Sequence, residues 1–298
     1  MGALTAAGRI TPQLARSIDR DLRGLLDLVP SGIARAATAP RRACAARAAS
    51  AIDEHSLLLL WAGGLWDWFD PCIVIQAMAD LRDELPHLRL CIFGGARPNP
   101  HGDPIRTRKA EEARARAAAT GLLDTAVIFL DTWIPYHKRG AYLAEADAGV
   151  SAHLPGVETR LAFRTRLLDY IWARLPVLCS AGDSLGAALA EQGAGRTVAP
   201  GDGAAWRDAL RQCANPEWRA ACRSQMQTIA EQWTWPAVAR PLAAFCAAPR
   251  RTAMPMLPAL PDTQQAELDR LRALVRAYEQ GRFMRLMRWL HRIRGTGR

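Results

Sequence analysis

The densest chemistry in this sequence lies in one run, Glu158-Thr-Arg-Leu-Ala-Phe-Arg-Thr-Arg-Leu-Leu-Asp169-Tyr-Ile-Trp-Ala-Arg-Leu-Pro176-Val. It sets an acid, Glu158, ahead of a predicted helix and two arginines, Arg164 and Arg166, at that helix's first turn. A second acid, Asp169, follows one face further on, and Pro176 opens a strand. A carboxylate can accept two sugar hydroxyls at once, and arginine forks neutralise a diphosphate by bidentate hydrogen bonds. Together they suit a group that is both sugar and phosphate.

Further candidates follow short apolar runs. Gly63-Gly64 and Gly94-Gly95 end two of these runs, and Asp131-Thr-Trp133, His153–Glu158 and Ser180–Asp183 end three more. Glycines at strand ends let backbone approach a phosphate, and the helix N-termini that follow favour anions. The same pairs equally serve tight turns. Neither pair has the GxGxxG spacing, which disfavours a nicotinamide or flavin site, and no GxxxxGK[ST] is present, which removes P-loop chemistry. The loop Trp66-Asp-Trp68-Phe69 either stacks on a sugar or base ring or is core at the domain's edge. No metal site is expected, because His55, His87 and His101 read as loop or surface residues.

These positions need elements to hold them. From Ser56 onward, apolar runs at 57–62, 89–93, 127–130, 148–151, 176–179 and 196–199 alternate with amphipathic stretches at 71–85, 104–120, 138–146, 160–174, 185–192 and 203–215. Strand–helix alternation with continuously apolar strands predicts an α/β domain, a Rossmann-like parallel sheet with helices on both faces. In such a sheet ligands bind beyond the C-terminal ends of the strands, where the residues above cluster. A helix over 12–26, a short strand over 27–33 and a linker over 34–53 precede it. A helix follows Trp235-Pro236, and Pro249, Pro255, Pro258 and Pro261 break the chain before a last helix over 262–298. The organisation is thus 1–55 as the end of an N-terminal lobe with linker, 56–247 as the binding domain, 248–261 as a Pro-rich linker and 262–298 as a basic amphipathic helix.

The chain has 298 residues and a net charge of +10. Much of that charge is terminal: Arg270, Arg272, Arg276, Arg282, Arg285, Arg288, Arg292, Arg294 and Arg298 face a single acid, Glu279. A nucleic-acid groove would interleave basic and aromatic residues along the core, so no nucleic-acid partner is expected. The arginine face opposite Leu268, Leu271, Leu274, Val275 and Tyr278 suits an anionic membrane surface, and equally packing against another lobe or a coiled-coil partner. The seven cysteines are scattered without a CxxC pair, as expected of thiols in a reducing compartment. No apolar run reaches membrane-spanning length. The expected location is cytoplasmic, peripheral at the inner face of the plasma membrane.

The ordered set of motifs resembles the C-terminal, donor-binding domain of retaining glycosyltransferases of the two-lobed GT-B fold, the family 4 or group 1 type, in a variant seen in polysaccharide clusters. In that family an acidic pair brackets a Phe-Gly step before an Ala-Gly-x-Pro-Val segment; Phe163, Asp169, Ala173, Pro176 and Val177 fall in register. Trp61–Pro71, Phe93–Gly95, Val127–Pro135, Glu145–Ser151, Gly195–Asp202 and Trp233–Val238 match its other elements. Departures are Asp169 for glutamate, Leu161 at the first acid, and Arg164 and Arg174 for glycines. The resemblance implies a nucleotide-sugar donor as substrate, no cofactor, and transfer with retention to a glycan or polyprenyl-linked acceptor. It casts Glu158 as holding the donor sugar, Arg164 and Arg166 as stabilising the leaving diphosphate, and Asp169 as binding ribose. Gly63, Gly64, Trp66, Asp131, Trp133 and Asp183 line the rest of the donor site. It also implies an acceptor lobe, for which the residues before Asp27 are too few, as in a truncated product, a split enzyme whose partner chain supplies the lobe, or a misplaced start codon. Two rivals remain: a binding module without catalysis, and a dinucleotide-dependent oxidoreductase.

Overall fold

A computed structural model describes residues 26–35, 52–94, 96–97, 99, 101–103, 105–131, 134–249, 262–279 and 281. Residues 28–247 form one compact unit. Its elements, in chain order, are β1 (Leu57–Ala62), α1 (Pro71–Asp80), β2 (Leu88–Phe93), β3 (Ala96–Arg97), β4 (Ile105–Arg106), α2 (Arg108–Ala119) and β5 (Val127–Leu130). Then follow α3 (Arg139–Glu145), β6 (Ala148–Ser151), α4 (Val157–Leu161), α5 (Thr165–Trp172), β7 (Val177–Ser180), α6 (Ser184–Glu191), β8 (Gly195–Val198), α7 (Gly203–Ala214), α8 (Pro216–Gln232), α9 (Trp235–Val238) and α10 (Arg240–Ala247). The helix α11 (Asp262–Glu279) belongs to a separate unit.

Six strands form one parallel sheet in the order β5-β2-β1-β6-β7-β8, and β3 and β4 make a small antiparallel ribbon. The β1 run explains why the sheet is sandwiched. Leu59 and Trp61 enter one apolar core with residues of α1, α2 and α7, while Leu58, Leu60 and Ala62 enter the other with residues of α3, α5, α6 and α8. Side chains alternate faces along a strand, so only an all-apolar run can bury both.

From β1 the chain moves outward to β2 and β5, then crosses to β6, β7 and β8 on the other side. The β1–β6 junction is therefore the topological switch point. The two strands pair only through Leu59 with Ala148 and Leu60 with Gly149. Side chains complete the junction at both ends. The Asp147 carboxylate accepts from Leu58 N at 2.9 Å below the paired stretch. Above it, the buried Tyr170 hydroxyl accepts from Ala62 N at 3.1 Å and lies 2.9 Å from the carbonyls of Leu60 and Val150. Gly149 has no substitute beneath this ring: a Cβ there would sit 2.4 Å from Tyr170 Cγ.

Several expectations shift. The helix expected over 160–174 is two helices, α4 and α5, separated by extended backbone at Ala162. The break lets the Arg164 side chain turn inward beneath the next strand's end. The helix expected over 71–85 ends at Asp80, and the one expected from 104 starts at Arg108, behind the β3–β4 ribbon and capped by Thr107. The strand expected over 27–33 is one parallel bridge, Ile33 to Thr234. Helix α8 is additional: the Asn215 side chain caps it and Pro216 opens it. The expected helix over 12–26 lies, but for Leu26, outside the described residues, as does most of the 34–53 linker. Of the last helix, 262–279 is described. No helix among the described residues is long and apolar enough to cross a membrane.

Candidate functional site

A cleft of about 440 Å³ opens at the switch point, lined by the loops after β1 and β6 and by α4 and α5. Ala62, Gly63, Gly64, Trp66, Trp68 and Phe69 form one wall; Ser151, His153, Glu158, Phe163, Arg164, Arg166 and Asp169 form much of the rest, with Arg139 beside them.

The β1 loop is held from below by Arg166. Its Nε donates to Ala62 O and its Nη2 to Gly64 O, both at 2.8 Å. The guanidinium lies over the rings of Phe69, at 4.4 Å from the centroid, and Trp61, at 4.9 Å. Burial lowers its pKa to about 10, so it remains a cation at neutral pH. Its third nitrogen, Nη1, is buried without a hydrogen-bond partner among the described residues. The glycines serve close packing here. Gly63 takes φ +127°, and a Cβ on Gly94 would lie 2.9 Å from Gly64 N, so the β2 loop touches the β1 loop because Gly94 lacks a side chain.

The loop after β1 is also stitched to the segment after β6. Phe69 bridges to His153, Asp70 N donates to Ala152 O at 3.0 Å and Leu154 N to Trp68 O at 2.9 Å. The aromatic loop divides: Phe69 is buried in the core, whereas Trp66 and Trp68 stack on each other with 5.8 Å between centroids and remain 42% and 39% exposed.

Asp169 pairs with Arg139 Nη2 through Oδ2, while its Oδ1 has no hydrogen bond from any described residue. Burial raises the Asp169 pKa, with Arg139 and Arg166 acting against that rise. Arg139 lies 6.0 Å from the Phe93 ring centroid and 5.8 Å from that of Tyr136. Glu158 stands exposed on the first turn of α4, at the rim.

Two expected donor contacts are placed differently. Arg164 and Asp183 form an ion pair at 3.0 Å, each side chain 2% exposed. Arg164 also donates to Ser180 O, and Asp183 caps α6 by accepting from Gly186 N at 3.1 Å. Asp183 thus does not line the cleft, and the Arg164 guanidinium is committed beneath it. The expectation is corrected for Asp183, which is absent from the cleft lining, whereas Arg164 borders the cleft; each neutralises the other's buried charge. Asp131 stands apart from the cleft, paired with Arg114 and, at 3.0 Å, with Arg106. Trp133 lies outside the described residues. So Gly63, Gly64, Trp66, Glu158, Arg166 and Asp169 come together, and Asp131 and Asp183 do not join them.

Two cleft residues had been assigned no role. Arg139 pairs with Asp169 from thirty positions upstream. His153 is 3% exposed at the end of β6, and its identity next to an apolar strand was the available signal. Burial and the neighbouring Arg164 and Arg166 push its pKa down to about 3, so the imidazole is neutral.

No curated protein matches the chain significantly. Among solved structures, WaaG, a glycosyltransferase involved in lipopolysaccharide biosynthesis, is similar with TM-score 0.56 and 21% identity, over 75% of this chain and 56% of its own. Anabaena HepE in complex with UDP and glucose is similar with TM-score 0.60 and 18% identity, over 76% of this chain and 57% of its own. A UDP-forming trehalose-phosphate synthase from Burkholderia xenovorans is similar with TM-score 0.56 and 15% identity, over 74% and 52%. The chain spans a little over half the length of each of these. At such identities the likeness concerns the fold, that of GT-B C-terminal domains. The sequence itself matches the family described as "Glycosyl transferases group 1" over residues 56–215, more than half of the chain. The protein belongs to the group 1 glycosyltransferases.

Proposed function

We propose that this chain binds a nucleoside-diphosphate sugar in the switch-point cleft and transfers the sugar, with retention of anomeric configuration, to a glycan or lipid-linked acceptor. The observation that carries the reading is the convergence of Glu158, Arg166 and Asp169 on the loops of β1 and β6. Asp169 accepts ribose hydroxyls at its unoccupied Oδ1 while Arg139 fixes Oδ2. Glu158 takes hydroxyls of the donor sugar from the rim. Arg166, held as a fixed cation beneath the β1 loop, stabilises through its charge the negative charge that grows on the leaving diphosphate, together with the backbone N–H of Gly64. Arg164, tied to Asp183, supports this wall from behind. The stacked Trp66 and Trp68 give the sugar an apolar face to rest on.

The acceptor side is supplied by a further lobe, on this polypeptide or a partner. Residues 262–298 bring the protein to an anionic membrane surface, where a polyprenyl-linked acceptor would lie. Turnover with an acceptor panel, read by proton NMR of the product's anomeric centre, tests the activity. The expected product keeps the donor's anomeric configuration. An inverted product removes the retaining mechanism, and tight donor binding without any turnover leaves a binding module.

A further inference from the structure

The cleft is rich in donors. Arg139, Arg164 and Arg166 all line it, and its carboxylates, Glu158 and Asp169, sit at the rim and beside Arg139. His153 is the exception on the inner wall. Its backbone N donates to Ser180 Oγ at 2.9 Å, and its ring meets Phe69 edge-on with centroids 4.7 Å apart. The residue is thus tied to the end of β7 through its backbone and to the β1 loop through its ring. Nδ1 lies 3.4 Å from Ser151 O, a contact that only a protonated Nδ1 makes favourable. That tautomer leaves a lone pair on Nε2, which no described residue engages. The two arginines nearest the ring oppose protonation, as does its burial. A neutral acceptor attracts a hydroxyl and repels a phosphate oxygen, so the ligand group it selects is a sugar hydroxyl and not the diphosphate.

We infer that His153 is a specificity-determining residue, accepting at Nε2 a hydrogen bond from a hydroxyl of the transferred sugar and so distinguishing the nucleotide sugar from the bare nucleoside diphosphate. This rests on the donor-site reading above, and the experiment separates the two. Calorimetry compares the full chain with His153→Phe and His153→Gln, using whichever of UDP-glucose, GDP-mannose and ADP-glucose binds the wild type most tightly, and its free nucleoside diphosphate. Phenylalanine keeps the ring against Phe69 and deletes the acceptor; glutamine reaches as far as Nε2 and restores one.

His153→Phe is expected to weaken the nucleotide sugar about tenfold, the effect of losing one hydrogen bond, and to leave the nucleoside diphosphate within about twofold. His153→Gln recovers most of the loss. Equal weakening of both ligands, or of neither, overturns the assignment. Should the phenylalanine variant melt well below the wild type, His153→Asn against His153→Gln supplies the same contrast, since asparagine reaches only to the Nδ1 position. Failure of all three nucleotide sugars to bind the wild type instead refutes the donor-site reading on which the assignment rests.

Discussion

Replacing Tyr170 by phenylalanine removes a single oxygen from the switch point, and its cost can be worked from the contacts. The backbone of β1 presents Leu58, Leu60 and Ala62 towards β6, but β6 pairs only as far as Leu60. Ala62 N, at the lip of the cleft, therefore depends on the Tyr170 hydroxyl at 3.1 Å, and the hydroxyl proton serves Leu60 O or Val150 O, each 2.9 Å away. The phenyl ring still fills the space above Gly149, so no cavity opens beyond one oxygen. What is lost is two hydrogen bonds, with one buried N–H left unpaired, about 2–4 kcal/mol in all. Urea unfolding followed by tryptophan fluorescence reads this loss, because Trp61 and Trp206 are both fully buried. The midpoint should fall with the slope unchanged. A loss below about 0.5 kcal/mol would refute the claim that Tyr170 completes the junction.

Other perturbations follow from the same geometry. Asp183→Asn keeps the α6 cap but leaves Arg164 buried without a counter-charge, and should cost about 3–5 kcal/mol in urea unfolding; Arg164→Met with Asp183→Asn should cost less than the sum of the single changes. Burial holds the Asp169 carboxyl above its ordinary 3.8, so the folded state binds its proton more tightly than the unfolded chain. The stability this gives is full below that ordinary value and is lost as pH rises through the folded value. Asp169→Asn should thus melt no lower than the wild type at pH 7 while losing nucleotide-sugar affinity, and a markedly lower melting temperature there would contradict the assignment. For His153 the sign is opposite. Its pKa falls from 6.5 to about 3, so its stability contribution is present above 6.5 and lost as pH drops towards 3. The wild-type melting temperature should fall more steeply over that window than that of His153→Phe. Finally, deleting residues 262–298 should abolish sedimentation with vesicles containing phosphatidylglycerol; equal binding by both chains would end the membrane proposal.

The sheet was legible because its information is local. Apolar runs such as Leu57–Ala62 can only be strands buried on both faces, and most strand boundaries agree within a residue or two. The break between α4 and α5 was not legible, since it follows from where Arg164 goes, and its partners Asp183 and Ser180 lie on a later strand end. Helix α8 could have been found from Asn215-Pro216 followed by Cys222, Met226, Ile229 and Ala230 on one face. Asp183 was expected at the donor because it follows a strand. The sequence does not say that an arginine nearby would claim it. His153 and Arg139 were missed for a related reason. Which strand ends flank the switch point depends on strand order, and no single segment encodes that order.

The central claim is that the β1–β6 cleft is a nucleotide-sugar site built around Arg166 and Asp169. Isothermal titration of the chain with UDP-, GDP- and ADP-sugars, and with NAD as control, tests it most directly when repeated on Arg166→Met and Asp169→Asn. Saturable binding of at least one nucleotide sugar is expected, with no binding of NAD and at least about a tenfold loss in each variant. Binding that survives both substitutions unchanged, or NAD binding in place of every nucleotide sugar, would contradict it.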